Sequence, residues 1–205
     1  MAVLWSTFFP YLQPYLPGCP EVVMTDHLRE AAARFCARSE VWRFDIESDL
    51  TYANEADYDL DVPSLSVVEN ILKLYLDGSP LPRVTDRHYF LSPNVSTSRP
   101  TAFAIYRDTQ LRFYPTPDAS YAFQGTGVLK PSLTATGVED FIYETHGRCI
   151  AYGALGQILL IPQKEWTDLA AGSAYVAMFY KEADDAKGRD LRRAANVFIR
   201  QRPFA

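Results

Sequence analysis

Hydrophobic and polar positions divide the chain into two stretches with helical spacing and a long stretch with strand spacing between them. Residues 20–39 and 138–187 repeat apolar side chains every three to four positions, as amphipathic helices do. Residues 50–135 carry short alternating or apolar runs bounded by turn residues. Because the helical stretches can bury their apolar faces only against each other, the pattern predicts one helical body with a β domain inserted into it.

The first helical stretch predicts an amphipathic helix that begins at Pro20 and Glu21. Proline fits the first turn of a helix, and an acidic side chain suits the positive end of the helix dipole. One stripe of apolar positions follows with helical spacing: Met24, Leu28, Ala31, Ala32 and Phe35. We therefore expect this helix to bury one face.

The second helical stretch predicts two antiparallel helices joined by a short connection. Glu139 and Asp140 start the first of them, and Pro162 stops it. Thr167 can cap the next helix, with Trp166 as its hydrophobic staple. Two helices joined so closely are expected to pack as neighbours.

Small and apolar residues indicate how this helical pair packs. Gly147, Gly153 and Gly156 lie inside the first helix, where each glycine costs roughly 1 kcal/mol against alanine, so a packing reason is expected. An apolar stripe continues along the second helix: Leu169, Ala170, Ser173, Val176, Ala177 and Tyr180. Gly188 is a plausible C-terminal cap.

The middle of the chain predicts at least five strands. Residues 57–62 alternate aspartates with apolar side chains, and residues 67–76 are strongly apolar and end at an Asp-Gly turn signal. Residues 102–114 predict a hairpin, and residues 121–129 predict a further strand. The expected fold is a small antiparallel sandwich or barrel, with a long loop of open role at residues 79–100.

The amino-terminal segment is apolar but is interrupted by four prolines. It has no basic residue, so it does not resemble a signal peptide, and no stretch of the chain reaches the length of a membrane span. We expect the segment to pack in extended form along the body or a neighbour. Its expected anchors are Trp5, Phe8, Phe9, Tyr11 and Tyr15.

Charge is distributed unevenly along the chain. The net charge is −5, whereas residues 189–205 contain five arginines and one aspartate and carry +4, so the remainder carries −9. Arginine without lysine favours bidentate contact with carboxylates or phosphates. Apolar side chains are interleaved with these charges, which a purely solvated terminus does not need.

The tail is therefore either a frayed basic terminus or a docking segment. The candidate docking residues are Arg189, Arg192, Arg193, Phe198, Ile199, Arg200, Arg202 and Phe204.

The sequence contains no pattern typical of catalysis, of a metal site or of a cofactor site. The cysteines Cys19, Cys36 and Cys149 are odd in number and widely spaced, and the last two lie in apolar helical surroundings, where they are expected to be buried. The three histidines lie in three different predicted elements. The aspartates at 57, 59 and 61 lack the glycine and the closing glutamate of a calcium loop, so a solvated face is expected there.

Several short blocks occur along the chain in a recognisable order. The first are Pro17-Gly18-Cys19-Pro20, Leu28-Arg29-Glu30-Ala31-Ala32, Phe35-Cys36 and Val41-Trp42. The middle blocks are Tyr58-Asp59-Leu60, Val62-Pro63 and Leu76-Asp77-Gly78, and the last are Gly153-Ala154-Leu155, Pro162, Trp166 and residues 175–180. In this order, over residues 17–185, they resemble the head-to-tail adaptor proteins of tailed bacteriophages, and they match the helix, β-insertion and helix-pair layout.

The resemblance implies a structural role. Such adaptors form a ring, usually of twelve copies, below the portal of the filled head, and their helical bodies surround a DNA channel. A C-terminal extension typically docks onto the portal, which assigns that role here to residues 189–205. The implied partners are further copies of the chain, the portal protein and a downstream tail or nozzle protein. DNA passes through without sequence-specific binding, and neither a membrane nor a cofactor is implied.

We therefore predict an α+β protein that acts as a phage adaptor in the virion neck after assembly in the host cytoplasm. The expected organisation is an extended segment at 1–19, a helical body at 20–45 and 136–188, a β domain at 46–135 and an extended basic docking tail at 189–205. Two alternatives from other classes stay open. One is a virion-associated enzyme that cleaves peptidoglycan with two carboxylates facing each other across a cleft, and the other is a monomeric cytosolic binding module.

Overall fold

The chain combines helices and strands in two compact units. A computed structural model describes residues 2–84 and 96–195, and of residues 190–195 the backbone alone. The first unit contains the described residues of Met1–Val41 and Gly137–Ala205, and the second contains those of Trp42–Thr136. All helices of the described residues lie in the first unit. The prediction of an α+β protein is confirmed at this level.

The first unit contains four α-helices and one small sheet. The helices are α1 (Phe9–Leu12), α2 (Glu21–Ser39), α3 (Asp140–Leu159) and α4 (Leu169–Ala195). Strand β1 (Ala2–Leu4) pairs antiparallel with β9 (Gly137–Glu139), and 3-10 turns at Trp5–Phe8 and Gln13–Tyr15 flank α1. The helix predicted at residues 20–39 is confirmed as α2, which has Pro20 as its N-cap residue.

Helix α3 is the buried centre of this unit. Eleven of its residues are buried, and they point in all directions around the helix axis. Its Gly153 lies against Ala31 of α2 and Phe179 of α4, while Gly147 lies against Phe8 of the amino-terminal segment. These contacts place α2, α4 and the amino-terminal segment around α3.

Helices α3 and α4 approach each other closely and run antiparallel. A Cβ atom built at Gly156 would lie 2.8 Å from Cγ2 of Val176 and 3.1 Å from the carbonyl oxygen of Gly172. One built at Gly153 would lie 2.7 Å from Cδ2 of Phe179. Residues later in α4 therefore contact residues earlier in α3, as expected for antiparallel helices. The expected packing reason for glycine is confirmed at both positions.

Three details of the helical prediction are wrong. The amino-terminal segment folds into short helical turns because Pro10 and Pro14 occupy first-turn positions, where a missing N–H costs nothing. Asp168, and not Thr167, caps α4, since its carboxylate accepts a hydrogen bond of 2.9 Å from the Ala171 N–H. Gly188 does not end α4, which continues to Ala195.

The second unit contains two antiparallel sheets. The four-stranded sheet has the order β2-β8-β4-β5, and the three-stranded sheet has the order β3-β7-β6. The strands of the first are β2 (Arg43–Leu50), β4 (Ser66–Leu76), β5 (Ser79–Pro80) and β8 (Ala122–Pro131). The strands of the second are β3 (Asp57–Asp59), β6 (Ala102–Arg107) and β7 (Gln110–Tyr114).

Aromatic side chains from both sheets share a core. Tyr58 of β3, Phe113 of β7 and Phe123 of β8 meet edge to face, with ring centroids 5.3–5.6 Å apart. The hairpin predicted at residues 102–114 is confirmed as β6 and β7. No sheet of the described residues closes on itself, so the barrel alternative is wrong.

Candidate docking surface at the carboxyl end of the helical unit

The predicted docking residues begin on the last turns of α4. Arg189 is exposed on this helix, and the helical backbone continues through Arg192 and Arg193. The remaining predicted residues, Phe198, Ile199, Arg200, Arg202 and Phe204, lie outside the described residues. The structure therefore describes the base of the predicted tail, and that base is a helix and not an extended chain.

The carboxyl half of α4 is anchored by one apolar face. Phe179, Ala183 and Ala186 are buried and recur with helical spacing. Cys149 of α3 packs beneath this face, and its thiol donates a weak hydrogen bond of 3.7 Å to the Phe179 carbonyl oxygen. The helix is therefore packed against the unit as far as Ala186, one turn before Arg189.

Arg38 of α2 forms an ion pair with the carboxyl half of α4. The Nε and Nη2 atoms of Arg38 donate to the two carboxylate oxygens of Asp184 at 2.7 and 2.8 Å. The guanidinium also lies 5.0 Å from the ring centroid of Tyr180. The hydrogen bond from Arg38 lowers the pKa of Asp184 below its ordinary value. Two parallel hydrogen bonds fix the orientation of the partners as well as their distance.

A second ion pair lies one turn further along α4. Lys187 Nζ is 2.9 Å from Glu40 Oε1. Glu40 directly follows α2 and has a left-handed backbone conformation with a φ of 55°. Its N–H donates a hydrogen bond to the Cys36 carbonyl oxygen, so Glu40 is the C-cap residue of α2. Exposed ion pairs contribute little to stability, but these two connect successive turns of α4 to the carboxyl end of α2.

A groove of about 730 Å³ lies beside this point, between α3 and α4. It contains both charge signs and a thiol, with the lining residues Thr145, His146, Arg148, Cys149, Glu182, Asp185 and Arg189. Burial, and next the nearby Glu182, raises the pKa of Cys149 to about 12. Burial, and next the positive charge of Arg189, lowers the pKa of His146.

The thiol of this groove is not in its reactive form near neutral pH. A thiol with a raised pKa stays protonated near neutral pH, and the thiolate is the reactive form of cysteine. Among residues 2–84 and 96–195, no group of three or more His, Cys, Asp or Glu side chains is arranged to hold a metal ion. The groove does offer carboxylates and guanidinium groups to a charged segment.

The second unit carries an acidic groove of about 350 Å³ beside β2. Five carboxylates contribute to it, from Asp45, Glu47, Asp49, Asp59 and Asp61. Phe44, Ile46, Leu60 and Phe123 line its apolar part. Asp57 does not join this groove, because both of its carboxylate oxygens accept hydrogen bonds from Arg112. The aspartates predicted as one solvated face therefore divide between an ion pair and a groove wall.

Comparison with known proteins gives the family. The model of the SU10 adaptor protein family matches residues 11–202, which is nearly the whole chain. The chain belongs to this family. No curated protein matches the sequence.

Membership confirms the resemblance to phage head-to-tail adaptors. The family is one of structural phage proteins that associate with other components of the head and tail, and its place is the neck of the virion. No helix in the described part of the chain is long and apolar enough to cross a membrane. The match also extends through Arg192 and Arg193 into the predicted tail.

Sequence reasoning missed the residues that position the tail. Arg38 and Glu40 are separated from Asp184 and Lys187 by more than 140 positions, and nothing in the sequence pairs them. The groove residues His146 and Glu182 carried no signal, because their place on one groove depends on how α3 crosses α4.

Proposed function

We propose that this adaptor assembles into a closed ring and that residues 189–205 of each copy dock onto the portal. The proposed ring has twelve copies, which is the usual number in the phage adaptors that the sequence resembles. The ring extends the DNA channel from the head into the tail and presents its other end to a downstream tail or nozzle protein. The observation that supports this proposal is the position of the helix that bears the arginines. Two ion pairs join α4 to the carboxyl end of α2 immediately before the first arginine.

The composition of the tail supports docking. Five arginines offer bidentate hydrogen bonds to carboxylates, and Phe198, Ile199 and Phe204 offer apolar anchors. A single short segment of this kind binds weakly. In a closed ring, however, each bound tail raises the effective concentration of the others, so the assembly binds as one body.

The charge of the remaining chain supports passage of DNA. The part outside residues 189–205 carries −9, and an acidic protein surface does not attract the phosphate backbone. DNA therefore slides through the proposed channel without sequence-specific contacts.

Truncation separates the tail from the helix that bears it. We expect deletion of residues 196–205 to leave the unfolding of the chain unchanged and to abolish co-purification with the portal. Replacing Arg200 and Arg202 with lysine is expected to weaken binding by about tenfold, because lysine keeps the charge and loses the bidentate geometry.

The matched control is Arg34→Lys, which changes an exposed arginine that pairs with Glu30 within α2. That variant is expected to bind the portal as the unmodified chain does. Normal portal binding by the truncated chain would refute the docking role of residues 196–205.

A further inference from the structure

Two segments of the helical unit expose side chains and contain no charged residue of their own. The first is the outer α4 face, which comprises the exposed residues of Leu169–Tyr180, a segment of twelve uncharged residues. Its most exposed large side chains are Leu169 at 61% and Met178 at 50% of their accessible area, and Ala170, Ala174 and Ala177 lie between them. The sequence pattern predicted a buried stripe at most of these positions.

The second is the amino-terminal face, which comprises the exposed residues of the segment from Ala2 to Tyr11. This segment also contains no charged residue. Leu4 is exposed by 57% and Tyr11 by 39%, and Ser6, Thr7 and Pro10 are exposed between them. Depletion of charge combined with exposed aromatic and aliphatic side chains is typical of the core of a protein interface.

The two faces lie at different positions around α3. The amino-terminal segment packs against Gly147 through Phe8, and α4 packs against Gly156 through Val176. Gly156 follows Gly147 by nine positions, which correspond to about 900° of rotation along an α-helix, half a turn beyond two full turns. Beyond the amino-terminal face, Tyr15 reaches α4, where its ring centroid lies 6.1 Å from that of Tyr175. The two faces are therefore distinct surfaces of one helical unit.

The exposed face of α2 behaves differently. It carries Arg29 paired with Asp26 and Arg34 paired with Glu30, with nitrogen–oxygen distances of 2.9 and 2.5 Å. These are pairs within one helix, three and four residues apart, as expected on a surface that faces water. The absence of charge on the other two faces is thus not a general property of this unit.

We propose that the outer α4 face of one copy packs against the amino-terminal face of the next copy. Both faces are uncharged, so each could be buried against the other without removing a charged group from water. Because they are different surfaces, the contact is heterologous, and repeated heterologous contacts close into a ring when the rotation between copies allows it. This inference rests on the proposed ring and assigns the two surfaces that form it.

Cross-linking distinguishes this contact from a symmetric one. Cys19 is first replaced by serine, since it is partly exposed whereas Cys36 and Cys149 are buried. Thr7→Cys and Ala177→Cys are then made singly and together, mixed with the portal and treated with a short bifunctional thiol reagent. We expect a ladder of covalent oligomers for the double variant and none for either single variant. Dimers from a single variant, or no ladder from the double variant, would overturn the inference.

A charge placed on one face provides a second test. We expect Met178→Glu to reduce the fraction of assembled chain by about tenfold or more. Val22→Glu is the matched control, because Val22 is exposed by 68% on α2 and lies outside both faces. It is expected to assemble normally.

The outcomes separate the two proposals. If the unmodified chain forms no multi-copy assembly with the portal in electron micrographs, the proposed function fails, and the assignment of faces fails with it. If it forms rings and Met178→Glu forms them equally well, the assignment of faces alone is wrong.

Discussion

At the scale of single residues, His146 links the stability of the helical unit to pH. Its ring lies 4.8 Å from that of Phe35, centroid to centroid, and burial and Arg189 lower its pKa. The folded state therefore holds this imidazole neutral at pH values where the unfolded chain already binds a proton. Lowering the pH through the ordinary value of 6.5 then favours the unfolded chain.

We predict that the free energy of unfolding falls between pH 7.5 and pH 5.5, and that His146→Gln removes part of this fall. Glutamine keeps a polar side chain at the position and does not titrate. Chemical denaturation of both chains at the two pH values measures the effect. Equal pH dependence of the two chains would show that His146 is not responsible.

Some residue-level features could be predicted because they depend on nearby sequence. The burial of Cys36 and Cys149 followed from their apolar helical surroundings and is confirmed. The cap of α4 was assigned one residue too early, since Thr167 and Asp168 are both good capping residues and the sequence does not choose between them. In the structure the Thr167 hydroxyl bonds to the Ile161 carbonyl oxygen instead.

At the scale of elements, the crossing of α3 and α4 is the contact most sensitive to substitution. The backbones meet at Gly156 and Gly172, where no side chain separates them. A Cβ at Gly156 would lie 2.9 Å from the backbone nitrogen of Val176, which cannot move unless the whole helix moves. The crossing therefore fixes the position of α4 and, with it, the origin of the proposed docking tail.

We predict that Gly156→Ala destabilises the chain by about 1–2 kcal/mol, because overpacking of about 1–3 kcal/mol exceeds the gain of up to ~1 kcal/mol in helix propensity. Gly147→Ala is the matched control. Its added Cβ would meet mainly the ring of Tyr143 at 3.1 Å, a side chain that can adjust. That variant is expected to be neutral or slightly more stable in urea denaturation, and the reverse order of the two variants would contradict the crossing described here.

Elements with a strong local pattern could be predicted, and others could not. The hairpin of β6 and β7 and the apolar strand β4 were found because their alternation or apolar content is pronounced. Strand β2 was not predicted, and its first residues were assigned to the helical body, because most of its side chains are polar and its pairing with β8 is made across more than 70 positions. The extension of α4 beyond Gly188 depends on residues 189–195, which are good helix formers despite the preceding glycine.

At the scale of the whole molecule, the family could be identified from the order of short blocks, and the match over residues 11–202 confirms it. The arrangement of copies could not be derived in the same way. It depends on surfaces that one copy leaves exposed, and the sequence pattern predicted the outer α4 face as a buried stripe. Only the burial of each side chain shows that Leu169, Ala177 and Met178 face outward.

The structure of the full-length chain bound to its portal, determined by cryo-electron microscopy, tests the central claim most directly. We predict a closed ring in which residues 189–205 of every copy lie against the portal and the outer α4 face of each copy covers the amino-terminal face of its neighbour. Isolated copies on the portal, or a ring whose carboxyl-terminal segments point away from it, would contradict the account.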